Sequence, residues 1–129
     1  MLLCRAVDAP LKILAVDNEP NITLSLRYVF AGPRYEVMTV DSGAAALALV
    51  EANPNCYDIM IVDQKMPNLT GLELVQAVRS RGFSGKVVVV SAHLSSEIRE
   101  SYQRLDVHAM FPKPFDIAQL RSAVDCIAA

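Results

Sequence analysis

The sequence predicts an α/β fold in one domain, a doubly wound sheet of five parallel strands with helices on both faces. Three observations predict it. Five short apolar runs alternate with longer, polar-interrupted segments. The central runs are continuous rather than alternating, as strands covered on both faces are. The length of 129 residues has room for one core and not for two. Strands and helices that alternate in this way pair in parallel through right-handed crossovers.

Residues 1–10 read as an N-terminal extension and residues 11–129 as the domain. The first run, Lys12 to Val16, is continuous and therefore central. Pro20 suits the first turn of the helix that follows, whose stripe is Ile22, Leu26, Val29 and Phe30. Tyr35 to Val40 alternates better, which places it nearer the sheet edge. Ser42 caps the alanine-rich segment Gly43 to Ala52, and Asn53-Pro54 ends it. Tyr57 to Val62 is the third run. Thr70 caps Gly71 to Ser80, with Leu72, Val75 and Val78 inward and Gly82 just past the end. Lys86 to Val90 is the fourth run and carries four consecutive valines. In Ser95 to Arg104 only Leu94, Ile98, Tyr102 and Leu105 form a thin stripe among charges, so this helix should pack least tightly. Val107 to Phe111 is the fifth run. Asp116 caps a last helix in which Ile117, Leu120, Val124 and Ile127 recur at helical spacing.

Composition excludes several classes of function. With 53% hydrophobic and 20% charged residues the chain lies far from disordered sequences. A net charge of −2 leaves no basic excess for neutralising phosphates, so nucleic acid is not a direct ligand. Cys4, Cys56 and Cys126 are odd in number and widely spaced, which suggests neither a disulfide framework nor a zinc site and fits a reducing cytosol. Met1-Leu2-Leu3-Cys4 meets Arg5 too soon for a signal peptide, and no run reaches the length of a membrane helix. The expectation is a soluble, cytoplasmic protein with no membrane partner.

In sheets of this kind ligands sit beyond the carboxyl ends of the strands. Each central strand here is followed by a polar group: Asp17-Asn18-Glu19 after the first, Asp63 after the third, Ser91 after the fourth and Lys113 after the fifth. Two carboxylates, an amide oxygen, a hydroxyl and an ammonium in one cleft make an oxygen-rich site for a hard cation such as Mg²⁺. The lysine then neutralises whatever anion the metal holds. Taken singly, Asp63 is a loop acid, Ser91 a turn residue and Lys113 a solvated charge. Only the constellation points to chemistry.

Over Leu11 to Ile127 the sequence resembles the receiver domain of bacterial two-component response regulators, which have a flavodoxin-like sheet of strand order 2-1-3-4-5 with five helices. Ile13-Leu14-Ala15-Val16-Asp17-Asn18-Glu19-Pro20 is similar to that family's acidic strand end. Tyr57 to Pro67, with Gly71-Leu72-Glu73-Leu74 after it, is similar to the phosphoacceptor segment. Ser91-Ala92 corresponds to a hydroxyl–alanine pair and Lys113-Pro114-Phe115 to a lysine–proline signature in which the bond before proline is typically cis. The resemblance implies that Asp63 accepts a phosphoryl group from a histidine kinase or phosphotransfer protein. It implies Mg²⁺ held by Asp17, Asn18, Asp63 and the Lys65 backbone carbonyl, with Ser91 and Lys113 contacting the phosphoryl group. It implies self-catalysed phosphorylation and slow self-dephosphorylation rather than turnover of an external substrate. The output would be a switch in binding at the surface of Ser95 to Arg104, the last strand and the last helix. The target would be a separate protein or an effector domain absent from this chain.

Two positions depart from the family pattern. Asn18 stands where a second acid is usual, so two carboxylates, one lysine and a dication leave one net positive charge where three acids would leave none. Glu19 reads as a favourable charge at a helix start and as a partial substitute for the missing acid, with its longer arm counting against that second role. Met110 stands where a switch tyrosine or phenylalanine is usual, so the expectation is either a weaker coupling of pocket to surface or one that uses Phe111 or Tyr102 instead. The side chains of Lys65 and His93 border the pocket, and His93 has no second histidine or cysteine nearby for a metal. The other methionines read as core filler.

Three further readings compete with the phosphorylated switch. Asn18 and Met110 together motivate a phosphorylation-independent adaptor of the same fold. An aspartyl-phosphate hydrolase would need a second acid two residues after the nucleophile, where this chain has Lys65. A flavodoxin-like cofactor carrier would need a glycine- or hydroxyl-rich first loop, which is missing.

Overall fold

Five parallel strands form one sheet in the order β2-β1-β3-β4-β5 in the computed structural model, which describes residues 9–128. They are β1 (Leu11–Val16), β2 (Tyr35–Val40), β3 (Ile59–Val62), β4 (Lys86–Ser91) and β5 (Ala109–Pro112). The helices are α1 (Pro20–Val29), α2 (Gly43–Ala52), α3 (Gly71–Ser80), α4 (Ser96–Gln103) and α5 (Ile117–Ala128). This is the expected flavodoxin-like, doubly wound architecture. Of the predicted N-terminal extension, residues 1–8 lie outside the described residues, as does Ala129.

The continuous apolar runs divide between two cores because successive strand side chains point to opposite faces. Leu14, Val16, Met60, Val62, Val87 and Val89 meet Ala46, Val50, Leu74, Val75, Val78 and Tyr102 of α2, α3 and α4. Ile13, Ala15, Ile59, Ile61, Val88 and Val90 meet Leu26, Val29, Leu120 and Val124 of α1 and α5. Each strand residue named is at most 2% exposed. Burial on both faces is why β1, β3 and β4 carry no alternation, whereas β2 sits at the edge as its pattern predicts.

Boundaries shift for identifiable reasons. β3 begins at Ile59 rather than Tyr57, and the Asp58 carboxylate takes the Lys12 backbone N–H at 2.9 Å. β5 begins at Ala109 rather than Val107, because Asp106 takes the left-handed conformation (φ 59°) and the Val107 N–H still points back to the Tyr102 carbonyl. In α3 the buried side is Leu74, Val75 and Val78, with Leu72 only partly covered. In and beside α4, Leu94, Ile98 and Leu105 are half-buried, as the thin stripe predicts, but Tyr102 is fully buried.

Two polar clusters fix the layers. Tyr35 packs edge-on against Phe30 and donates to Asp125 of α5 at 2.6 Å, with the Arg34 and Arg121 guanidiniums over its ring. Arg79 donates to the carbonyls of Phe83, Gly85, Leu105 and Asp106, which stitches the loop after α3 to the loop after α4. Among the described residues no helix is long and apolar enough to cross a membrane.

Candidate functional site

The strand ends supply the site. β1 stops at Val16, and Asp17, 2% exposed, receives the Glu19 backbone N–H on Oδ1 at 2.9 Å, a local turn that starts α1. β3 stops at Val62, and Asp63, 3% exposed, continues the ladder through its N–H to the Val16 carbonyl. Beyond β5 the Lys113 N–H donates to the Ser91 carbonyl at 3.0 Å, and the Lys113–Pro114 bond is cis. Nζ of Lys113 then reaches Asp17 Oδ2 at 2.8 Å, Glu19 Oε1 at 2.9 Å and Asp63 Oδ2 at 3.4 Å.

Burial and charge shift both partners of this contact. Burial raises the Asp63 carboxyl above its ordinary value, and Asp17 beside it raises it further; Lys113 and the Lys65 backbone amide pull the other way without cancelling the rise. For Lys113 burial lowers the ammonium, but the bonds to Asp17 and Glu19 and the charge of Asp63 outweigh it and leave a net rise. The lysine is therefore firmly charged, and the carboxylate beside it is costly to ionise.

Asp17, Asp63 and Lys113 come together as the sequence predicts, and Glu19 joins them. Asp17, Glu19 and Asp63 each offer a carboxylate oxygen within 4.8 Å of the others. The sequence alone offers Glu19 as a helix-start charge and only a partial substitute for the missing acid. Here it stands at the N-cap of α1 without a capping bond and turns its carboxylate to Lys113. Its spacing, two residues after Asp17 at a strand end, is what brings its carboxylate to the group. Three carboxylates are hard-oxygen donors of the kind Mg²⁺ takes, and the third offsets the positive charge left by Asn18.

The other predicted residues surround this group. Asn18 and Lys65 are exposed and line an open cleft of about 570 Å³ with Glu19, Asp63, His93 and Lys113. A water claims about 30 Å³ of liquid, so the cleft has room for a phosphoryl group and a hydrated cation. Ser91 closes β4, is 1% exposed, and its hydroxyl accepts the His93 N–H at 3.4 Å. Ala92 and His93, rather than Ser91, form the cleft wall on that side.

The loop after Asp63 is held by a residue the sequence reading passed over. The Gln64 carbonyl accepts the Gly71 N–H at 3.0 Å, and its side-chain Oε1 accepts the Leu72 N–H at 2.9 Å and the Tyr102 hydroxyl. Thr70 and Glu73 complete the α3 N-terminus as a capping box. Of the three residues considered for coupling, Met110 packs into the core of α2–α4, Phe111 lies against the opposite core, and Tyr102 reaches the Asp63 loop.

The chain is similar to known proteins in sequence and in fold. The family model described as "Response regulator receiver domain" matches residues 13–125. Sporulation initiation phosphotransferase F of Bacillus subtilis is 28% identical over 113 residues, 88% of this chain and 90% of that protein. Transcriptional regulatory protein KdpE of Mycobacterium tuberculosis is 32% identical over 87% of this chain, which spans only 50% of that protein's length. Chemotaxis protein CheY4 of Vibrio cholerae superposes with a TM-score of 0.82 at 28% identity, covering 92% of this chain and 99% of that one. A chain of the CheX-CheY-BeF3-Mg+2 complex of Borrelia burgdorferi shares the fold, with a TM-score of 0.85 at 19% identity over 93% of this chain and 90% of that one.

Proposed function

The chain belongs to the response regulator receiver domain family, and from that premise we propose that it accepts a phosphoryl group on Asp63 from a histidine kinase or phosphotransfer protein, with Mg²⁺, and thereby switches a binding surface. The observation that carries the reading is the convergence of the buried Asp63 carboxylate with Asp17, Glu19 and the Lys113 ammonium at the mouth of an open cleft.

In this reading an Asp63 carboxylate oxygen attacks phosphorus in line with the departing histidine nitrogen. The P–O bond forms as the P–N bond breaks, the electron pair returns to the imidazole, and an acyl phosphate remains. Such a transfer asks the protein for positioning and charge stabilisation and for little else. Lys113 is placed to exchange a carboxylate partner for a phosphoryl oxygen. Ser91 donates its hydroxyl to another, which requires it to move toward the cleft from its buried position. Asp17, Glu19, Asp63 and the Lys65 carbonyl would hold Mg²⁺, with Asn18 at the rim. The bound ion supplies neutralisation of the developing phosphoryl charge.

The surface that responds is α4 with β5 and α5, and it would serve a protein target or an effector domain of a longer protein in the cytoplasm. Asn18 and Met110 motivate the competing reading of a phosphorylation-independent adaptor; the third carboxylate, Glu19, weighs against it. Incubation with acetyl phosphate and Mg²⁺ followed by peptide mass spectrometry decides between them. One phosphoryl mass on the peptide with Asp63, absent from Asp63→Asn, is expected; label elsewhere or nowhere refutes the proposal and leaves the adaptor.

A further inference from the structure

We infer that the Tyr102 hydroxyl, acting through Gln64, positions the loop that carries Asp63 and the Lys65 carbonyl, so that the setting of α4 and the setting of the phosphoacceptor loop are one equilibrium. The inference rests on the reading of Asp63 and its metal given above and names a positioning residue for it.

Gln64 lies between the phosphoacceptor and the carbonyl assigned to the metal. Its amide orientation is fixed by chemistry, since a backbone N–H can only donate, so the atom facing the Leu72 N–H is the oxygen. The Tyr102 hydroxyl meets that same oxygen and must be the donor. One side chain thus ties the start of α3, the residue after Asp63 and the last turn of α4. There is no slack behind the joint: a Cβ on Gly71 would overlap both the Asp63 carbonyl and the Tyr102 hydroxyl. The phenol tip and the main chain of the phosphoacceptor therefore both close in on the Gly71 Cα.

Tyr102 is also the one fully buried side chain of α4, in a helix whose other apolar residue, Ile98, is half-covered. A shift of α4 must carry the hydroxyl with it, and Gln64 must follow or lose a partner. Burial, and after it the Asp63 carboxylate, raise the phenol above its ordinary value, so it stays a donor throughout the range in which the protein works. Coupling of this kind is reciprocal: if α4 biases the loop, occupation of the loop biases α4.

The test compares the intact chain with Tyr102→Phe, which keeps the ring and deletes the donor, with Gln64→Met, and with the double variant. Tyr35→Phe is the control, since it deletes a bonded hydroxyl of the other core. Calorimetric Mg²⁺ titration should show affinity falling about fivefold in each single variant, the factor one net hydrogen bond represents. The double variant should be no weaker than the weaker single, and Tyr35→Phe should match the parent. Hydrogen exchange in residues 96–105 should respond to Mg²⁺ with beryllofluoride in the parent and in Tyr35→Phe but not in Tyr102→Phe. Parent-like Mg²⁺ affinity in folded Tyr102→Phe, additive losses in the double variant, or an equal loss in Tyr35→Phe would each overturn the inference while leaving the phosphoacceptor reading intact. If Tyr102→Phe does not fold, Gln64→Met alone decides by the same affinity and exchange. Absence of Mg²⁺ binding by the parent would remove the phosphoacceptor reading and this inference together.

Discussion

Replacing Asp63 with asparagine should make the metal-free protein more stable. The Asp63 carboxylate stands 3.4 Å from the Lys113 ammonium, an attraction of about 5 kcal/mol at an effective dielectric of ~20. Asp17, with a carboxylate oxygen within 4.8 Å, repels it by about 3.5 kcal/mol on the same scale. Glu19 is half-exposed and screened, and adds about 1 kcal/mol. Attraction and repulsion nearly cancel, which leaves the cost of burying a carboxylate 3% exposed, on the order of several kcal/mol after relaxation. Asparagine keeps the shape, removes that cost and frees Lys113 for Asp17 and Glu19. We expect a gain of about 2 kcal/mol at pH 7 in chelator, or on the order of 6 °C in Tm for a domain of this size.

The pH dependence has a definite sign. A carboxyl raised in the folded state above its ordinary 3.8 makes the native protein the better proton binder, so parent stability falls as pH rises through the interval between the two values. The advantage of Asp63→Asn should therefore grow over that interval and vanish below pH 3.8. Urea unfolding of both proteins in chelator, from pH 3 to 8, measures it. Saturating Mg²⁺ should reverse the order by stabilising only the parent. If Asp63→Asn were the less stable protein in chelator at pH 7, the balance of charges drawn here would be wrong.

Asn18→Asp should tighten Mg²⁺ binding and Glu19→Gln should weaken it, each by about tenfold, the factor for 1.4 kcal/mol; calorimetric titration of both checks that the site needs three acids. Removal of the Arg79 guanidinium in Arg79→Ala should cost about 3 kcal/mol in urea unfolding, because four carbonyls in two loops lose a charged donor. Gly71→Ala should lower both stability and acetyl-phosphate labelling of Asp63, since the added methyl displaces the Asp63 main chain; unchanged labelling would show that the loop tolerates the shift.

The sheet was legible because burial on both faces leaves β3 without any polar position and confines the polar residues of β1 and β4 to Lys12, Lys86 and Ser91 at or beside the strand ends, and an uninterrupted Ile-Leu-Ala-Val or four valines have few other places in a fold. The position of Asp63, Asp17 and Lys113 followed from that, since a strand end fixes where the next residue lies. What the sequence concealed were side chains whose part depends on reach rather than on register. Glu19 looks like any acid at a helix start until the Lys113 ammonium is seen 2.9 Å from it. Gln64 carries no charge and lies in no apolar pattern, yet its amide holds both α3 and α4 to the loop. Tyr102 was visible as part of a thin stripe, but its complete burial depends on the space left beside Gly71, a distance of thirty-one positions along the chain.

The two borders of the sheet are unlike in a way that bears on self-association. β5 is four residues long and ends in Pro112, which has no amide hydrogen to offer a newcomer, so that rim resists extension by a foreign strand. β2 has six residues, no proline, and Met38 nearly half-exposed. Templated aggregation or strand exchange between copies would therefore begin along β2, and a charge introduced at Met38 is the change that would blunt it.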